Sequence, residues 1–254
     1  VAMDAPPPME DCAPFVHAAT VLARGRISVP AVLAADLPRG FLLLDSHPVG
    51  CARTVATMRE QVGSAPGGQS DTRPTALVIG SSAGYGLAST VAAIARYGMN
   101  GVGVCFERAP SRRRTATAGW YRTVAAAELA KQAGSDFSFR NADAFADTTK
   151  DEVLDLIGQR FGGADYLIYS VAAPRRFDPR TGQTYQSVIK PIGSAHQTKT
   201  VQFGDDGAAQ LRDAVVEPAE DAEMAETVQV MGGEDWARWI EAPPTLGMRL
   251  LLGT

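Results

Sequence analysis

The chain has 254 residues, 45% of them apolar and 20% charged, with a formal net charge of -4. That length can bury a large core, and the acidic balance supplies no general field for nucleic acid or an anionic membrane. No apolar run nears the roughly 20 residues of a membrane span, and the scattered Cys12, Cys51 and Cys105 with only three histidines make neither a disulfide framework nor a metal site. The expectation is one α/β domain with additions, in a reducing, cytoplasmic setting, with no nucleic-acid, membrane or metal partner.

Residues 1–38 carry Pro6-Pro7-Pro8 and further breaks at Pro14, Pro30 and Pro38. They read as an appended segment that lies on the domain or mediates assembly into a homo-oligomer. Residues 39–51 read as a strand and then a turn that starts a helix running to about Val62, with His47 as a turn or capping residue. A Gly/Ser/Pro-rich loop over 63–73 follows.

The centre of the chain is the stretch over 75–89. Ala76-Leu77-Val78-Ile79 is a continuous apolar run, as expected of a strand covered on both faces, and it enters Gly80-x-x-x-Gly84-x-Gly86 and an Ala-rich helical stretch. Glycines in such a turn permit positive φ and let a pyrophosphate reach the first N–H groups of the helix, where the dipole favours anions. A second apolar strand, 101–106, ends in Phe106 and Glu107, about 20 residues beyond the glycine loop, where a Rossmann fold places its ribose-binding acid. A third strand around 136–140 leads into Asn141-Ala142-Asp143-Ala144, and a fourth over 166–169 ends in Ser170-Val171-Ala172. With helices expected near 86–97, 118–133 and 150–161, strands and helices alternate at βαβ spacing. This predicts a Rossmann-like, doubly wound parallel sheet with a nicotinamide dinucleotide at its carboxyl edge. An acidic strand end favours NAD, because a carboxylate repels a 2′-phosphate, whereas Arg108, Arg112, Arg113 and Arg114 just beyond it would act in the opposite sense or hold a phosphate of a coenzyme or thioester carrier.

Beyond the fourth strand the pattern changes. Residues 173–194 read as a hairpin-like insertion over the carboxyl edge of the sheet, 198–203 as a strand, 220–230 as a helix, and 232–236 as the cap of another helix carrying Trp239. The residues from 246 to 252 are apolar.

Several ordered motifs over residues 39–242 resemble the FabV-type trans-2-enoyl-CoA/ACP reductases, a branch of the extended short-chain dehydrogenase lineage. They include His47-Pro48-x-Gly50-Cys51, the glycine loop from Ile79 to Ser89, Phe106-Glu107, Thr117-Ala118-Gly119-Trp120-Tyr121, Asp143-Ala144-Phe145, Tyr169-Ser170-Val171-Ala172, Ser187-Val188-Ile189-Lys190-Pro191-Ile192-Gly193 and Val230-Met231-Gly232-Gly233-Glu234-Asp235-Trp236. The resemblance implies one FabV-type domain over 39–254. It also implies that Gly80, Ser82, Gly84, Tyr85 and Gly86 line the pyrophosphate and nicotinamide side of NADH, Phe106 and Glu107 the adenosine end, Asp143 and Ala144 the adenine, and Ser170, Val171 and Ala172 the nicotinamide ribose. It further implies a small-molecule or thioester substrate with a 2,3-double bond.

The family's Tyr-x8-Lys catalytic pair falls, by the same resemblance, in a region for which this sequence has no counterpart, so the domain is expected to be shortened at its C-terminus. Conjugate reduction collects negative charge on the thioester oxygen, and a positioned hydroxyl must stabilise it. Tyr185 and Lys190, or Tyr121, are the groups available to replace the pair. Three readings stay open at this point. One is an NADH-dependent reductase of an enoyl thioester or related conjugated molecule with an altered proton donor. Another is a specialised-metabolism enzyme that keeps the pocket, has lost the hydride chemistry and catalyses a condensation or an amine–aldehyde cyclisation of the Pictet–Spengler type. The third is a cofactor-binding pseudo-enzyme.

Overall fold

The computed structural model describes residues 46–63, 73–111, 115–203, 209–231, 238–240 and 249–252. The segment expected as an appendage, residues 39–45 of the stretch expected to begin as a strand, Arg112 to Arg114 and the helix cap at 232–236 lie outside them. Two compact units divide the described chain: one runs up to Val171 and resumes from Arg238, and the other runs from Ala172 to Met231.

In the first unit, helix α1 (Pro48–Val62) is followed by β1 (Thr75–Ile79), α2 (Gly84–Ala95), β2 (Asn100–Cys105), α3 (Ala118–Gln132), β3 (Phe137–Asn141), α4 (Asp147–Phe161) and β4 (Tyr166–Tyr169). The final strand of the chain, Arg249–Leu252, belongs here too, and the sheet is wholly parallel. From one edge it runs β3, β2, β1, β4 and then that last strand.

Why β1 lacks the alternation of a half-exposed strand is plain from its packing. Ala76 and Val78 face one layer, with Leu87, Val91 and Ile94 of α2 and Ala126, Leu129 and Ala130 of α3. Leu77 and Ile79 face the other, with Val153 and Ile157 of α4, Leu167 of β4 and Trp239. Every residue of β1 is buried, so the core sits on both faces of the sheet and the continuous apolar run is its signature. The two parallel crossovers β1–α2–β2 and β2–α3–β3 build one side of the doubly wound fold, and the strand order reverses between β1 and β4.

Helix boundaries move slightly from the expected ones. His47 is the N-cap of α1, its Nδ1 accepting from Gly50 N–H at 3.2 Å, as expected of a capping residue. Helix α2 starts at Gly84 rather than Gly86. Helix α4 starts at Asp147 rather than Lys150, where a turn closed by Asp143 leads straight into it.

The second unit begins with a hairpin of β5 (Arg175–Phe177) and β6 (Thr184–Gln186), within the segment expected to be hairpin-like. A longer hairpin follows, β7 (His196–Phe203) with β8 (Ala209–Val216), and then helix α5 (Asp221–Met231). Helix α5 lies on the first hairpin, held by Arg176 Nη1 donating to Gln229 O at 2.8 Å and by Gln186 N–H donating to Glu226 Oε2 at 3.0 Å. The last strand of the chain is β9 (Arg249–Leu252).

Candidate functional site

The glycine loop joins β1 to α2 at the carboxyl edge of the sheet, next to the end of β2. Gly80 N–H and Ser81 N–H both donate to Val104 O at 2.9 Å, which ties the loop to β2. Gly80 has φ +87°, and a Cβ there would fall 1.9 Å from Ser170 O, so the loop closes against the end of β4 only without a side chain. Gly86 meets the same constraint from the other direction, since a Cβ would lie 2.0 Å from Gly80 O; it lets the first turn of α2 approach the strand end. Gly84 differs. It has φ +51° and nothing within 4 Å of where a Cβ would be, so this part of the loop opens outward. The N-cap, Ala83, gives α2 no side-chain cap. A helix N-terminus without a side-chain cap, beside an open glycine, fits a pyrophosphate and is a poor match for any cation.

The carboxylate of Glu107 faces inward. Its Oε1 accepts from Ser82 Oγ of the glycine loop at 2.6 Å, and its Oε2 accepts from the hydroxyl of Thr117, the N-cap of α3. Its backbone is clamped by one side chain: Glu107 N–H donates to Asn141 Oδ1 at 2.7 Å and Asn141 Nδ2 donates back to Glu107 O at 2.9 Å. That pair prolongs the β2–β3 ladder by one rung. Space for the carboxylate comes from Gly119, where a Cβ would lie 1.9 Å from Glu107 Oε1. Two further motif residues pack just beyond it: Trp120 is buried, and Tyr121 OH accepts from Ala116 N–H at 3.1 Å. The carboxylate therefore knits the glycine loop, the end of β2 and the start of α3 into one rim. Phe106 and Tyr85, by contrast, are exposed on it, at 72% and 68%.

Past β3, Asp143 closes a tight turn in which Phe145 N–H donates to Asp143 Oδ1 at 2.9 Å. The turn is tied to β2 through Ala142 N–H donating to Cys105 O at 2.8 Å. Asp143 and Ala144 thus stand beside the strand end that carries Phe106 and Glu107. Ser170 and Val171 continue β4, with Ser170 N–H donating to Ile79 O at 2.8 Å, and Ala172 follows as the first residue of the second unit. Burial pushes the Cys105 thiol up to about 12 and raises that of Cys51, so neither is a thiolate nucleophile at neutral pH.

The three groups expected as proton donors each have a local partner. Tyr121 is buried with Cys51, Ala116, Trp120 and Val124. In the second unit Tyr185 OH donates to Gln183 Oε1 at 2.8 Å, and Lys190 Nζ donates to both carboxylate oxygens of Glu223, at 2.6 and 2.8 Å. The Tyr185 hydroxyl and the Lys190 amine are thus engaged by different residues.

A family model described as the trans-2-enoyl-CoA reductase catalytic region matches residues 114–248, and one described as the NAD(P)H binding domain of trans-2-enoyl-CoA reductase matches residues 35–112. The chain belongs to the trans-2-enoyl-CoA reductase family. It is 64% identical over 210 residues to an enoyl-[acyl-carrier-protein] reductase [NADH] of Streptomyces avermitilis, a match covering 83% of this chain and 53% of that protein. With a trans-2-enoyl-CoA reductase [NADH] of Ruminiclostridium cellulolyticum it shares 41% identity over 204 residues, covering 80% of this chain and 50% of the other. Among solved structures, the trans-2-enoyl-CoA reductase of Clostridium acetobutulicum in complex with NADH superposes with a TM-score of 0.70 at 34% identity, covering 81% of this chain and 52% of that one. The chain thus spans about half the length of the curated relatives it matches.

In this reductase-family chain the roles of Thr117, Gly119 and Asn141 were not read from the sequence. The Thr-Ala-Gly-Trp-Tyr motif was visible as a string, and a glycine at the second position of a helix was the available signal that something large lies against it. Asn141 carries no such mark, because its partner is set by the fold.

Proposed function

We propose that this protein is an NADH-dependent reductase of trans-2-enoyl thioesters, with the dinucleotide held on the rim formed by β1, β2, β3 and β4. The observation that carries the reading is the rim itself: an open Gly84 at the uncapped start of α2, continuous through Ser82 and Glu107 with the end of β2. Its support from kinship is that the relatives named above are reductases, which favours this reading over a cofactor-free cyclisation and over a pseudo-enzyme.

On this reading Gly80, Ser82, Gly84, Tyr85 and Gly86 take the pyrophosphate and nicotinamide side, Phe106 and Glu107 the adenosine ribose, Asp143 and Ala144 the adenine, and Ser170, Val171 and Ala172 the nicotinamide ribose. NADH, when bound, supplies a hydride to the β-carbon of the enoyl group. The chain's own contribution is to fix that cofactor against the sheet edge: loop N–H groups and the α2 dipole neutralise the pyrophosphate, and the Glu107 carboxylate disfavours a 2′-phosphate. A proton must reach the α-carbon, and a hydroxyl must stabilise the oxygen where charge collects. Of the two tyrosines expected as donors, Tyr185 is the one outside a hydrophobic cluster, so Tyr185→Phe is the variant that tests the role.

The reaction is followed as loss of 340 nm absorbance on mixing the protein and NADH with crotonyl-CoA or with crotonyl-acyl carrier protein. Consumption of NADH with at least one of the two is expected. Saturable NADH binding with no consumption for either substrate would overturn the reductase reading and leave the cofactor site standing.

A further inference from the structure

We propose that Lys150 is a positioning residue that holds the turn after β3 in the shape that receives the adenosine end of the dinucleotide, an inference that rests on the site proposed above. Lys150 is the fourth residue of α4 and is fully buried. Its Nζ donates to the backbone carbonyl of Phe145 at 2.9 Å and to Asp147 Oδ1 at 3.0 Å. Its location is energetically poor for a cation. The start of a helix carries the positive end of the dipole, and burial strips the ammonium of water, a cost that the acceptors around Nζ, the Phe145 carbonyl and Asp147 among them, must offset. An apolar side chain of similar length would fill the same space without it.

Unlike an apolar residue, the lysine fixes the Phe145 carbonyl. The turn over 143–146 is then held from both ends. At its start Asp143 accepts from Phe145 N–H through Oδ1 and from Ala146 N–H through its carbonyl, at 2.9 and 3.2 Å. At its end Lys150 takes the Phe145 carbonyl. Ala146, the N-cap of α4, makes no side-chain cap, so the entry to the helix is fixed instead by the bond from Lys150 to the carbonyl just before it. The turn follows β3 and is bonded to β2, on the side of the strand-order reversal where a doubly wound sheet takes the adenosine half of its ligand.

The test compares Lys150→Met with the parent protein by fluorescence titration against two reduced cofactors, NADH and reduced nicotinamide mononucleotide, which has no adenosine. The expected result is a rise in the NADH dissociation constant on the order of tenfold, the scale of one lost charge-assisted hydrogen bond, with the mononucleotide within about twofold of the parent. Equal weakening of both ligands, as general loosening would give, or no weakening of either, overturns the proposal. Should the variant fail to fold, hydrogen exchange on the parent protein decides: NADH is expected to slow exchange at the Phe145 and Ala146 amides, and unchanged rates there overturn it. A parent protein that binds no NADH removes the proposed cofactor site itself, and with it this role for Lys150.

Discussion

At the scale of single residues, Gly119 shows how a packing constraint reaches the site. On helix propensity alone, alanine in place of glycine inside α3 would stabilise the protein by about 1 kcal/mol. The added methyl, however, would sit 1.9 Å from Glu107 Oε1, and overpacking of that kind costs about 1–3 kcal/mol. The clash wins because the carboxylate is held in place from the opposite side by Ser82 and Thr117. Gly119→Ala is therefore expected to lower stability by up to about 2 kcal/mol in chemical denaturation and to weaken NADH binding; a more stable variant would show that the carboxylate swings freely. The acid at the end of β2 was legible in the sequence from its distance to the glycine loop. Its inward set was not, because Ser82, Thr117 and Asn141 lie 25, 10 and 34 residues from it and only the folded sheet brings them together.

Among elements, α5 and the β5–β6 hairpin make a unit that depends on carboxylates. Lys190 beside Glu223 holds that carboxyl below its usual range, with help from Glu220 N–H, and Arg180 N–H does the same for Asp178, with Arg176 adding a smaller effect. Both folded values are depressed. Their stabilisation is thus present above the ordinary carboxylate range and is lost as pH falls through the lowered values, below about pH 4. Hydrogen exchange corrected for intrinsic rates is expected to show the α5 and β5–β6 amides unchanged between pH 7 and 5 and less protected on further acidification. Glu223→Gln should show part of that loss already at pH 7, and a variant as protected as the parent would contradict the role given to the pair. The same elements mark where sequence reading thinned out. Strands β1, β2 and β4 announce themselves because burial on both faces leaves few polar positions, and β3 by the alternation of Phe137 and Phe139 with polar residues. Strand β8 escaped notice because most of its described side chains are exposed, so no burial pattern is written into it. Strand β9 reads only as an apolar stretch until its pairing with β4 is seen.

For the molecule as a whole, sheet order and site location follow from one another. A doubly wound parallel sheet that reverses its order between β1 and β4 leaves a crevice at its carboxyl edge, and the glycine loop, Glu107 and the Asp143 turn all lie along that edge. The sequence pattern was sufficient to foresee the fold and the loop, since both rest on local spacing. The residues that stiffen the rim were hidden, since they act through contacts between elements. Binding of NADH on this rim is read by a fluorescence titration of the protein with NADH, repeated with NADPH. Saturable binding of NADH, tighter than that of NADPH, is the expected result. Failure to saturate with either cofactor up to about millimolar concentration would contradict it.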